Sequence, residues 1–96
     1  MDFFGVNHGS YLQIMISSSS NESSNEAWIY LDEVNKTKKT PNKITIMNPG
    51  IHEFMLKMGN MICCKKEIRI FSNFRNIDFD LAGCNSDRCD YEIIKG

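Results

Sequence analysis

The sequence predicts an α+β fold: a single domain over residues 1–96, with five to seven mostly antiparallel strands and one helix, at about residues 49–58, packed on one sheet face. Three observations predict it. Apolar residues recur at every second position in several short stretches, the period of a strand with one face in a core. After Asn48-Pro49-Gly50 the period changes, and apolar residues fall at the spacing of one helix face. Finally, with 42% hydrophobic and 24% charged residues the chain has ordinary globular composition. At this length it buries only about 60–65% of its unfolded surface, which leaves room for one modest core.

Residues 10–17 set Leu12, Ile14 and Ile16 against Tyr11, Gln13 and Met15, which predicts a first strand. The Ser/Asn-rich segment 17–26 has little to bury, and its side chains compete for backbone hydrogen bonds, so it is expected to be a mobile loop. Residues 27–34 place Ile29 and Leu31 on one face and Trp28, Tyr30 and Asp32 on the other, a hairpin partner for the first strand. A polar connection over 35–42 contains Pro41, and Ile44 and Ile46 then resume alternation in a third strand at 43–47. For the helix, Asn48 can cap, Pro49 suits the first position, and Ile51, Phe54, Met55 and Met58 form the apolar face. Glu53 and Lys57 stand four apart on its other side, and Gly59-Asn60 supplies a stop. Residues 61–71 read as one long strand with Ile62, Cys64, Ile68 and Ile70 inward and a bulge near Lys65-Lys66. A turn over 72–76 precedes Ile77, Phe79 and Leu81, which alternate with Asp78 and Asp80, and a last short strand is expected at 91–94.

The N-terminus carries Asp2 where a secretory signal would be basic, and no stretch reaches the roughly 20 apolar residues needed to span a bilayer. These features predict a cytoplasmic protein with reduced thiols at Cys63, Cys64, Cys84 and Cys89. Adjacent cysteines also point to opposite faces of a strand, against a shared role for Cys63 and Cys64. A bridge within the loop, Cys84 to Cys89, would need an oxidising compartment. On this reading the Asn-X-Ser/Thr triplets at Asn21 and Asn35 are chance matches.

The cysteines with His8 or His52 have the element types of a zinc site, but one pair is adjacent and the other has four residues between, unlike the usual short-spaced ligand pairs. Buried filler side chains explain them better, and no metal or cofactor is expected. Asp78 and Asp80 share a strand face, as a cation or acid/base pair would, yet no Lys, His or Glu completes a hydrolase set and a solvated face explains them. A cysteine nucleophile would need His8, placed in a glycine-flanked turn, or His52, placed where a helix dipole disfavours its protonated form. Gly5 and Gly9 lack phosphate-loop spacing. The chain is therefore read as a non-enzyme.

Charge is uneven. Residues 1–34 carry −5, residues 35–75 carry +7, and the remainder carries −3. Lys36, Lys38, Lys39 and Lys43 cluster in the basic block, where they could follow a phosphate backbone with Phe71 or Phe74 stacking on bases, or simply protect a sheet edge. Trp28 and Tyr30, opposite the core-facing residues, are typical interface anchors. The expected function is a non-catalytic protein-binding module acting by occlusion, of the inhibitor or immunity type, as in toxin neutralisation or viral anti-defence. Its binding residues are Trp28, Tyr30, Lys36, Lys38, Lys39, Lys43, Asp78 and Asp80, with charge steering the encounter. The alternatives are nucleic-acid binding through residues 35–75 and a Cys/His metal protein. No membrane contact is expected, and self-association is compatible with the composition.

Overall fold

Alternation governs the whole of the computed structural model, which describes residues 12–19, 26–71 and 74–95. Eight strands follow in order: β1 (Leu12–Ser19), β2 (Trp28–Leu31), β3 (Val34–Lys39), β4 (Asn42–Ile46), β5 (Gly50–Met58), β6 (Met61–Ile70), β7 (Phe74–Asp80) and β8 (Asp90–Lys95). They form two four-stranded sheets, ordered β4-β1-β7-β8 and β3-β2-β5-β6. All pairings are antiparallel except β1 with β7. One apolar cluster joins the sheets: Ile14, Ile16, Ile77 and Phe79 from the first meet Ile29, Phe54, Leu56 and Ile68 from the second, all at most 2% exposed. The rings of Phe54 and Phe79 lie 6.2 Å apart across the interface. Such a side chain contributes about 1.5–3 kcal/mol by burial.

The predicted helix is absent, so the fold is all-β and not α+β. Residues 50–58 form β5, with Phe54 and Leu56 buried and His52 and Met58 partly so, a period of two. Ile51, expected on the core face, is 60% exposed. Gly59-Asn60, a helix stop in the sequence reading, instead closes the β5–β6 hairpin. Gly59 (φ 63°) takes the first central position, as a type II′ turn requires, and Met58 pairs with Met61. A second two-residue turn was not foreseen. Asp32 and Glu33, both with positive φ (51° and 69°), make a type I′ turn between Leu31 and Val34, so residues 34–39 are a strand and not a connection.

Other segments differ in extent. Ser17–Ser19, expected in a loop, continue β1 and pair with Asp78–Asp80, while residues 20–25 lie outside the described residues. The amino-terminal candidates Gly5, His8 and Gly9 also lie outside them. The β3–β4 crossover is anchored by Thr40, which is 1% exposed. Its Oγ1 accepts a hydrogen bond from the Ala27 amide at 3.1 Å and shares one with Ser18 Oγ at 2.7 Å.

The four cysteines are not reduced. Cys63 pairs with Cys84 and Cys64 with Cys89, so β6 of one sheet is tied twice to the β7–β8 connection of the other. Adjacent residues manage this because β6 bulges there and not at Lys65-Lys66. Leu56 pairs with Cys64 but Lys57 with Ile62, leaving Cys63 as the extra residue. A bulge turns two successive side chains toward one side, and both cysteines are 0% exposed while Ile62 is pushed outward.

Candidate binding face

The outward face of the β3-β2-β5-β6 sheet gathers three of the sequence-predicted binding residues, Trp28, Tyr30 and Lys39. Trp28 and Tyr30 alternate with buried Ile29 and Leu31 and are half-buried on the side away from the core. β2 lies between β3 and β5, so each ring has neighbours on both sides: Trp28 stands between Lys39 and Lys57, and Tyr30 between Asn35 and Met55. The Lys39 ammonium lies over the Trp28 ring at 4.8 Å and that of Lys57 over the Tyr30 ring at 5.3 Å. Both are cation–π distances, and they hold the lysine stems along the aromatic faces. Beyond them, β6 turns Lys65, Glu67 and Arg69 outward, and Lys65 Nζ approaches Glu53 Oε2 at 3.7 Å. Lys39, Lys57, Lys65 and Arg69 against Glu53 and Glu67 leave this face basic.

The remaining candidates do not join it. Lys38 reaches over the crossover to donate to the Lys43 carbonyl at 2.9 Å, so these two lysines sit at the junction between sheets. Lys36 stands near the turn, where its charge acts on Asp32. Asp78 and Asp80 are on the outward face of the other sheet. There they pair with Glu92 and Asp90, and the four carboxylates with Tyr91 line an open cleft of about 270 Å³. Ser17 Oγ donates to Asp78 Oδ1 at 2.9 Å. The outer face of one sheet is thus basic and that of the other acidic, although the sequence blocks are not segregated: Asp32 and Glu33 lie on the β2–β3 turn, and Lys43 and Arg75 in β4 and β7.

Beside the β2–β3 turn, His52 Nδ1 is 2.6 Å from Asp32 Oδ2, and His52 Nε2 is 2.6 Å from the Asn48 carbonyl. Asp32 Oδ1 also accepts the Glu53 amide at 2.9 Å. Burial works against charge on His52, but the hydrogen bonds to Asp32 and Asn48 and the Asp32 charge outweigh it and raise its pKa. Burial likewise works against the Asp32 carboxylate, and its bonds from His52 and Glu53, with the His52 and Lys36 charges, lower its pKa. This reverses the expectation that a helix dipole would keep His52 neutral. The pair braces the turn.

Sequence reasoning missed Lys57 and Met55 because both were assigned to a helix. Read at strand parity, both fall on the side opposite Phe54 and Leu56. Among the described residues no group of three or more His, Cys, Asp or Glu side chains could hold a metal ion, and the disulfides leave no thiolate for one. No helix among them is long and apolar enough to cross a membrane.

Fold and face together define a two-sheet all-β domain, stapled by two disulfides and carrying outer faces of opposite charge. No protein-family model, no curated protein and no solved structure matches the chain.

Proposed function

We propose that the protein is a non-catalytic binding module of the inhibitor type, which occludes an acidic protein surface with the outer face of the β3-β2-β5-β6 sheet. The observation that carries this reading is the ladder of Lys39, Trp28, Lys57 and Tyr30, in which each ring is capped by an ammonium group. Rigid aromatic area supplies contact at low entropic cost, and the lysines favour a carboxylate-rich partner. The acidic face opposite orients the encounter by repelling such a partner, so Asp78 and Asp80 act in steering and not in contact.

The two disulfides further support a working location in an oxidising compartment. Such a location departs from the cytoplasmic one that the sequence predicts.

Affinity capture from native host extract, with and without nuclease, tests the reading. Wild type is expected to retain a protein partner that survives nuclease, and Trp28→Ala with Lys57→Glu to lose it. Capture that disappears with nuclease and falls steeply with salt would favour nucleic acid and overturn the proposal.

A further inference from the structure

Asn35-Lys36-Thr37 has the Asn-X-Thr form, X not proline, that accepts N-linked glycans in chains crossing a eukaryotic secretory compartment. The sequence alone discounted it because the N-terminus does not have the features of a secretory signal. The two disulfides point the other way, since the endoplasmic reticulum, where these glycans are attached, is an oxidising compartment that maintains such bonds.

The triplet is also well placed to carry a large polar substituent. Among the described residues β3 is an edge strand, paired on one side only, with β2. Between the pairs Tyr30↔Asn35 and Trp28↔Lys39, β3 advances four residues while β2 advances two, so residues 36–38 bulge out of the ladder. Thr37 occupies the bulge with φ 56°. Asn35 and Thr37 are both exposed. Asn35 Oδ1 accepts the Thr37 amide at 2.8 Å, which folds the side chain back over the triplet. Its Nδ2 has only a long contact of 3.4 Å to the Tyr30 hydroxyl. A sugar on this nitrogen displaces that contact and, among the described residues, meets no neighbouring strand.

We propose that Asn35 is a site of N-linked glycosylation. In the step, Asn35 Nδ2 attacks C1 of the first sugar of a lipid-pyrophosphate-linked oligosaccharide. The C–N bond forms as the C1–O bond to phosphate breaks, the lipid pyrophosphate leaves with the bonding electrons, and Nδ2 gives up one proton. The folded product carries its glycan at the open edge of the sheet, where it shields unpaired β3 backbone from pairing with another chain. Its first sugars border the Tyr30 end of the aromatic face. Trp28 lies two residues further along β2, about 6–7 Å away. The glycan therefore limits how closely a partner can approach the Tyr30 end of the face. The assignment rests on the disulfides and the edge geometry, and it stands whether or not the partner is an acidic protein.

The test is expression of the full chain through the secretory pathway of eukaryotic cells in an Asn21→Gln background, which removes the other triplet of this form. Retained and secreted pools are analysed together by band shift and by mass spectrometry of the peptide containing residue 35. The expected result is one glycan, released by peptide-N-glycosidase with conversion of Asn35 to Asp, lost in Asn35→Gln and Thr37→Ala, and kept in Thr37→Ser. Disulfide mapping of the same samples should return Cys63–Cys84 and Cys64–Cys89. An unmodified Asn35 in the Asn21→Gln chain, in both pools, overturns the proposal.

Discussion

Breaking the disulfides should cost this domain a large fraction of its stability, and the two bridges should not act additively. Cys63–Cys84 and Cys64–Cys89 span sequence separations of 21 and 25 residues. Either bridge alone removes loop entropy from the unfolded chain worth about 3.4–3.5 kcal/mol. Because Cys63 adjoins Cys64 and Cys84 lies close to Cys89, the second bridge closes a path of only roughly seven residues once the first is present, worth about 2.3 kcal/mol. Loss of one bridge should therefore cost about 2.3 kcal/mol and loss of both about 5.7 kcal/mol, more than twice as much. A domain of this size has about 5–14 kcal/mol in total, so the bridge-free chain should be marginal. Urea unfolding followed by the fluorescence of Trp28, the sole tryptophan, reads this out. The samples are oxidised wild type, Cys63→Ala/Cys84→Ala, Cys64→Ala/Cys89→Ala and reduced wild type, which retains every side chain. The slope m should rise on reduction as the unfolded state expands. Equal midpoints for oxidised and reduced wild type would refute the reasoning.

Further perturbations test other parts of the architecture. The pKa of His52 is raised on folding, so its contribution is fully present below the unfolded value of about 6.5 and is lost as pH rises through the folded value; that of Asp32, whose pKa is lowered, is present above about 3.9 and is lost as pH falls through the folded value. Stability should thus decline from mildly acidic to alkaline pH, and His52→Gln should flatten the decline, as measured by melting temperature against pH. Thr40→Val leaves the Ala27 amide without its side-chain acceptor and should cost about 1–3 kcal/mol by denaturant midpoint. Phe54→Ala opens a cavity against Phe79 at the sheet interface and should cost about 3–5 kcal/mol in the same assay.

Where burial imposed a single period, the sequence was readable. Ile14 and Ile16, Ile29 and Leu31, Ile44 and Ile46, and Ile77, Phe79 and Leu81 all face the core as their alternation requires. β5 was misread because Ile51, Phe54, Met55 and Met58 satisfy a helical face while His52, Phe54, Leu56 and Met58 satisfy a strand, and Gly-Asn ends either element. Partnership decided the outcome: β5 pairs with β2 and β6 along its length, a non-local fact. The Asp32-Glu33 turn lacked the Gly or Asn that marks a type I′ hairpin, so β3 was hidden in a polar run. The disulfides were hidden by the bulge at Cys63, which defeats the rule that adjacent strand residues face apart. For the candidate face, Trp28, Tyr30 and the basic block were visible, but only the sheet order reveals that Lys39 and Lys57 flank the rings.

The binding reading makes Trp28 both the proposed anchor and an intrinsic probe. The most direct measurement is its emission spectrum and acrylamide quenching in the free protein and in the purified complex with the captured partner. Docking through this face predicts a blue shift and strong protection from quenching in the complex, both lost when binding is prevented by Lys39→Glu/Lys57→Glu. An intact complex in which Trp28 emits and quenches as in the free protein would place the contact elsewhere and contradict the account.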